Sequence, residues 1–216
     1  MNSVGVDKMI RVHARNAHKF LVHALIPLTV LSVALLFLTG CSDDDINSLV
    51  IESEGSSGPI YIFNSGYMSG NITGGAATRA ALDSSVASAT VPAVCSGKKV
   101  RAFLSLNSVD SIAAMPANLG VPANAPIYGE LGPLVANNWG DLLDGTILAS
   151  MATATGLGTY YFTGSNEDGS ESGATCSNWT STGTTGTIGR GDLTGTGWMN
   201  NSAGSCSNQL VLGICY

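Results

Sequence analysis

Five cysteines constrain this chain more than any other feature, because four of them lie beyond residue 90 in a region with little else to hold it together. These are Cys95, Cys176, Cys206 and Cys215. Between the second and third lie 29 residues (177–205), mostly Thr, Gly, Ser and Asn. Such a segment cannot bury enough apolar surface to offset the entropy of ordering it. In an oxidising compartment, an even set of four implies two bridges, and four cysteines allow three connectivities.

The N-terminus supplies the compartment. Residues 1–19 are polar and basic, and residues 20–38 are apolar apart from His23 and Pro27. Leu38-Thr39-Gly40-Cys41 follows, then Ser42-Asp43-Asp44-Asp45. A basic head, an apolar middle and a small-residue exit make the plan of a secretion signal. The exit resembles a bacterial lipoprotein box, in which Cys41 takes the lipid and becomes the new N-terminus. An uncleaved membrane span is the alternative, since about 17–25 apolar residues cross a bilayer. Ser42 in second place resembles outer-membrane-directed lipoproteins. The expected organisation is a signal peptide over 1–40, a lipidated flexible tether over 41–58 and one domain over 59–216. The expected location is the cell envelope, lipid-anchored, in the outer membrane of a Gram-negative bacterium.

Charge and histidine content narrow the function. Four of nine basic residues and one of fifteen acids (Asp7) precede Cys41, so residues 41–216 carry five basic and fourteen acidic groups, a net of −9. Phosphate backbones repel such a surface, which argues against nucleic-acid partners. His13, His18 and His23 all lie in the expected signal segment. The mature chain therefore has no histidine for a triad, a general base or a zinc ligand. No Gly-x-Ser-x-Gly elbow or P-loop occurs. The expectation is a protein that is not an enzyme.

Local patterns predict short elements. Ile60-Tyr61-Ile62-Phe63 reads as a strand, followed by a turn-rich loop over 64–75. Residues 76–89 read as a helix capped by Thr73 or Thr78 and ended by Pro92. Residues 98–106 alternate as a strand, and 109–115 read as a second helix stopped by Pro116. Short strands are expected at 127–128 and 134–136. One Asn-capped helical turn follows, in which Trp139, Leu142 and Leu143 share a face. Residues 158–163 read as a strand and 182–197 as irregular and partly mobile. Trp198 begins a last hairpin, and 210–215 form the closing strand.

Several of these segments together resemble a known family. Val100-Arg101-Ala102-Phe103-Leu104-Ser105 resembles the segment after the first helix of endostatin, the C-terminal domain of certain collagens. Asn138-Trp139-Gly140-Asp141-Leu142-Leu143-Asp144-Gly145 is similar to its Trp-centred turn. Thr163-Gly164-Ser165-Asn166-Glu167-Asp168-Gly169, Cys176-Ser177-Asn178-Trp179-Thr180 and Ser202-Ala203-Gly204-Ser205-Cys206 match its back half in order and spacing. With Tyr61-Ile62-Phe63 and Gly70-Asn71-Ile72-Thr73-Gly74-Gly75, the pattern over residues 59–216 looks more closely like bacterial endostatin-like lipoproteins. The resemblance implies an α+β, C-type lectin-like domain with two short helices, short antiparallel strands, long loops and two disulfides. It implies the pairing Cys95–Cys215 and Cys176–Cys206. It also implies surface recognition, because some bacterial relatives bind host matrix or complement proteins. Two departures stand out. The family's first cysteine usually lies within the first helix, whereas Cys95 follows Pro92. Endostatin's zinc-binding histidines and heparin-binding arginines have no counterparts in the mature chain.

The candidate site residues follow from these readings. Trp139, Trp179 and Trp198 are expected in the core. Asn166, Glu167, Asp168, Glu171 and Asn178 are expected on a binding loop. No cofactor is expected; calcium at Asn166, Glu167 and Asp168 is the one ion this loop's oxygens would suit. The sugar-binding Glu-Pro-Asn and Trp-Asn-Asp signatures are absent, and a solvated acidic loop is the ordinary reading. The expected function is a non-enzymatic, membrane-anchored module that recognises an extracellular or host protein or glycan. The alternative is a structural envelope lipoprotein with only bacterial partners.

Overall fold

The computed structural model describes residues 58–216. The expected signal peptide, Cys41 and the tether up to residue 57 lie outside them. The described chain is mixed α+β, mostly sheet, with few short helices and two disulfides. Its strands are β1 (Ile60–Met68), β2 (Val100–Ala102), β3 (Ile127–Gly129), β4 (Leu134–Ala136), β5 (Tyr160–Phe162), β6 (Thr185–Arg190), β7 (Ser202–Ser205) and β8 (Gln209–Cys215). They form one sheet in the order β4-β3-β1-β8-β5-β6-β7, with β2 also on β8.

β8 is the organising strand. Along one edge it pairs antiparallel with β1, from Tyr61 opposite Cys215 to Met68 opposite Gln209. Along the other edge, its end takes β2 (Val100 opposite Cys215) and its start takes β5 (Phe162 opposite Val211). The expected all-antiparallel pairing is corrected here, since β1 with β3 and β5 with β8 run parallel. Long crossovers make this feasible, because they carry the chain back to the starting end of the sheet. β1 also outruns its expected length. Asn64 and Gly66 signal a turn, but β8 absorbs them as a bulge, where Asn64 Oδ1 accepts the Gly66 N–H at 3.0 Å.

Alternation along the strands builds two cores on opposite faces of the sheet. The larger takes Ile60, Ile62, Phe103, Tyr161, Leu212 and Ile214, with Trp139, Met151 and Trp198. The second takes Phe63, Ala102, Leu104, Phe162, Val211 and Trp179, with all four bonded cysteines. Residues 102–105 are covered on both faces, with Phe103 and Ser105 as buried as Ala102 and Leu104. Both cores close within residues 58–216.

Short helices cover the faces. α1 (Arg79–Ala87) starts at Thr78, whose side chain accepts the Ala81 N–H, and buries Leu82 and Val86. It also caps the free edge of β2, where Asp83 accepts from Ala102 N and Arg101 Nη1, each at 2.9 Å. Burial raises the Asp83 carboxyl pKa, against the lowering pull of that N–H and of Arg79 and Arg101. Arg79 in turn donates through Nε to both Asp110 oxygens and through Nη2 to Leu104 O at 2.7 Å.

The second expected helix, 109–115, does not form. α2 (Met115–Leu119) begins where that helix was expected to stop, with Pro116 in its first turn. The reason is that proline lacks an N–H the first turn would leave unpaired anyway. α3 (Trp139–Leu142) is capped by Asn138. α4 (Met151–Thr155), which was not expected, is capped by Ser150 and ended by Gly156 at φ 72°. There are thus more short helices than the two expected.

The expectation of an irregular stretch over 182–197 fails at β6. Its glycines permit close approach. A Cβ at Gly186 would lie 2.7 Å from Cys176 Sγ, and one at Gly189 would strike the Trp198 carbonyl. The expected final hairpin also changes partner. Trp198, itself buried, ends a 3-10 turn (Thr196–Trp198), and β7 pairs with β6, not β8.

Candidate functional site

The long segment after β5 is fastened to the sheet by buried hydroxyls. Ser105 Oγ and Ser165 Oγ lie 2.7 Å apart, and Ser105 Oγ also accepts the Ile112 N–H at 2.9 Å. Thr163 Oγ1 donates to Met199 O at 2.8 Å. Ser105, Thr163 and Ser165 are fully buried, so each bond is made away from water, where leaving it unmade is costly. Ser105 and Ser165 had no place among the expected site residues. Their only trace in the sequence is a short polar side chain inside apolar Phe103-Leu104-Ser105-Leu106.

The acidic loop satisfies itself. Ser165 and Glu171 bridge as a small antiparallel pair. Asn166 Nδ2 donates to Ser170 Oγ at 3.0 Å and Glu171 O at 3.2 Å. Asp168 Oδ1 accepts from Ser170 N at 2.9 Å and from its hydroxyl at 2.6 Å, and these bonds lower the Asp168 pKa. Glu171 Oε1 accepts the Gly173 N–H at 2.8 Å. Glu167 is exposed. Among the described residues, no three or more His, Cys, Asp or Glu side chains stand together as a metal set. Two of the loop's three carboxylates, those of Asp168 and Glu171, accept hydrogen bonds from within the loop. Asp141 and Asp144 are caps: Asp141 Oδ2 accepts the Asn137 N–H at 2.6 Å, and Asp144 Oδ1 accepts the Thr146 N–H at 2.9 Å.

The most unusual backbone follows. Cys176, Ser177, Asn178 and Trp179 all have positive φ, at 51°, 56°, 55° and 61°. This is one turn of left-handed helix, closed by Trp179 N donating to Thr175 O at 2.7 Å and Thr180 N donating to Cys176 O at 3.2 Å. Left-handed helix costs an L-residue roughly 1–2 kcal/mol per position. Here four consecutive non-glycine residues adopt it. What holds them is visible. Cys176 is bonded to Cys206. Trp179 is fully buried, edge-on to Phe162 at 5.2 Å, and its Nε1 donates to Ser105 O at 2.8 Å. Thr73 Oγ1 donates to the Trp179 carbonyl at 2.8 Å. Between these two anchors, Ser177 and Asn178 are exposed. Asn178 Oδ1 accepts from Thr175 Oγ1 at 3.3 Å, and Thr175 Oγ1 accepts the Asn178 N–H at 3.2 Å.

No matching family model and no matching curated protein is found for this chain.

The remaining candidates sort by face. Trp139 and Trp198 are buried around Phe103, with ring centroids 6.0 and 6.3 Å from it. They lie in the core opposite Trp179 and take no part in the loop. Asn166 and Asn200 touch at 3.4 Å, which joins the acidic loop to the segment before β7. Cys95 and Cys215 bond at the far end of β8, away from the left-handed turn on Cys176–Cys206.

Proposed function

We propose that this protein is a non-enzymatic, lipid-anchored envelope module of C-type lectin-like fold, whose loops over 164–205 recognise an extracellular or host protein or glycan. The observation that carries the reading is the left-handed turn at Cys176–Trp179. Strained backbone persists only where its surroundings over-determine it, and it clusters at binding and catalytic sites. Here a disulfide and a buried tryptophan sustain the strain, and its visible product is the display of Ser177 and Asn178 to solvent. Asn166, Glu167, Asp168 and Glu171 extend the same polar surface. Amide, hydroxyl and carboxylate groups on a rigid frame suit hydrogen-bonded recognition of a polar partner, with little ordering cost on binding. The resemblance to endostatin-like lipoproteins and the Cys41 box support the fold and the anchorage.

The test is binding of the 58–216 domain to panels of matrix proteins, complement proteins and glycans. Saturable binding that falls in Ser177→Ala/Asn178→Ala is expected. Absence of saturable binding to every panel member overturns the reading.

A further inference from the structure

A sheet edge offers unpaired N–H and C=O groups to any passing strand, and folded proteins cover or blunt such edges. Two edges of this sheet are covered. Asp83 accepts the Ala102 N–H at the free side of β2, and Leu148 N donates to Val135 O at 2.9 Å on β4. β7 ends the sheet on the other side, and among the described residues no backbone or side-chain group bonds to its outer backbone. Ser202, Ala203 and Ser205 are exposed, and Gly204 is half-buried. The sequence does not blunt this edge either, since residues 193–216 contain no charged side chain and no proline.

The pleat decides which groups point outward. In an antiparallel ladder a residue sends its N–H and C=O to the same side, and its neighbours send theirs to the other. On β6, Thr187 N donates to Ala174 O at 2.7 Å and Thr187 O accepts from Thr163 N at 3.0 Å, both away from β7. Thr184, Gly186 and Ile188 therefore face β7, and Cys206 N donates to Thr184 O at 3.2 Å. Gly204 and Ser202 stand opposite Gly186 and Ile188. That leaves the N–H and C=O of Ala203 and Ser205 directed outward.

These two residues suit a copy of themselves. In an antiparallel pair centred on Gly204, Ala203 of each chain stands opposite Ser205 of the other. Both are hydrogen-bonded pairs, so every outward N–H and C=O is satisfied. The two-fold axis passes between the two Gly204 residues, a non-hydrogen-bonded pair whose Cα atoms approach to about 4.5 Å. No side chain crowds that point. The contact is isologous and closes at two copies.

Charge does not oppose the pairing. The acidic loop reaches this edge through Asn200, whose Nδ2 lies 3.4 Å from Asn166 Oδ1. Antiparallel pairing sets the two Ser202 residues about 14 Å apart, with each Asn200 farther out. The two acidic loops thus meet the ladder at opposite ends, beyond the ~8 Å screening length of physiological salt. A foreign strand finds less to hold. Peptide-binding edges select their ligand through side-chain pockets, whereas β7 offers only Ser, Ala, Gly and Ser.

We propose that β7 is a self-association edge, through which two copies of this chain pair antiparallel over Ser202–Ser205 and join their sheets. The inference goes beyond the recognition proposed above and does not depend on a lipid anchor.

The test follows amide hydrogen exchange in the 58–216 domain, within which both cores close. So short an edge suits a Kd on the order of 0.1 mM. Between about 20 µM and about 1 mM protein, the Ala203 and Ser205 amides are then expected to slow about fourfold, while Gly204, already facing β6, keeps its rate. Sedimentation should show the matching shift from monomer to dimer. Equal rates at the two concentrations overturn the proposal. Ala203→Pro removes an outward N–H and spares the bonds to β6. It is expected to abolish the dimer and restore fast Ser205 exchange, with both disulfides intact by peptide mapping. Self-association that survives in this variant overturns the proposal, because it uses another surface. If the proline variant does not fold, Ala203→Lys decides. Its two lysines, diagonal neighbours across the axis, are expected to weaken the dimer about tenfold at low salt, and undiminished association overturns the proposal.

Discussion

The two cores share one sheet and are built from different materials. The larger face is a packed set of aliphatic side chains, Phe103, Trp139 and Trp198, covered by α2, α3 and α4 and holding no cysteine. The other face has one helix of any length, α1, and a smaller apolar set, but contains both disulfides. The difference lies in what each face has to secure. Packing suffices where the covering segments bring their own apolar residues. Residues 164–206 bring few to this face, and the chain compensates there with covalent bonds, the buried Trp179 and buried hydroxyls.

Breaking the bridges gives the largest expected effect. On the chain-entropy model, losing Cys95–Cys215 costs about 4–5 kcal/mol and losing Cys176–Cys206 about 3–4 kcal/mol. Denaturant unfolding of Cys95→Ala/Cys215→Ala and Cys176→Ala/Cys206→Ala measures both. Hydrogen exchange in the second variant should show residues 70–75 and 175–187 opening while α2 to α4 stay protected. Uniform loss of protection would erase the distinction between the faces.

The packed face has its own weak point. Trp198→Ala should cost about 3–5 kcal/mol through the cavity it leaves, with no change in how readily either disulfide is reduced. Thermal melts and thiol trapping test the two halves of that statement.

Ser105→Ala sharpens the comparison at the junction between the faces. It leaves the buried Ile112 N–H without its acceptor and Ser165 Oγ without its neighbour, at a cost of about 1–3 kcal/mol. Its signature is increased exchange over residues 164–172 before global unfolding.

The smallest effects are electrostatic and opposite in sign. Asp168 has a lowered pKa, so its stabilising contribution is full above the ordinary value of 3.8 and is lost as pH falls through the folded pKa. Asp83 has a raised pKa, so its contribution runs the other way. The folded state holds that proton longer, and stability falls as pH rises from 3.8 through the folded value. Carboxyl NMR titration should place the two midpoints on either side of 3.8, and coincident midpoints would refute the assignment.

Elements whose cause is local were legible in the sequence. Thr78 and Asn138 announce α1 and α3, and the apolar run ending at Cys215 announces β8. β6 was not legible, because Thr-Gly-Thr-Ile-Gly-Arg has poor strand propensity and becomes a strand through what approaches it: Cys176 Sγ at Gly186 and the Trp198 carbonyl at Gly189. Pro116 misled because one residue both ends and begins helices, depending on its place in the turn. At the candidate site, composition pointed to the Asn and acidic side chains. The left-handed turn was hidden, since Cys, Ser and Trp carry no local preference for that conformation and distant partners impose it. The serine latch was hidden for the same reason, with 60 residues separating its two hydroxyls.

The central place of β8 has a consequence for timing. β1, β2 and β5 all pair with this strand, and Cys95 bonds to a partner 120 positions later. While the chain emerges from a ribosome in order, the middle of the sheet stays vacant until residues 209–215 arrive. Until then β1 has only β3 beside it and β5 only β6, so the two parts of the sheet stay unjoined. The same dependence makes folding slow and non-local, and it leaves the early cysteines open to wrong pairings until the last strand is in place. Such a protein should gain more from a disulfide isomerase during its maturation than its modest size suggests.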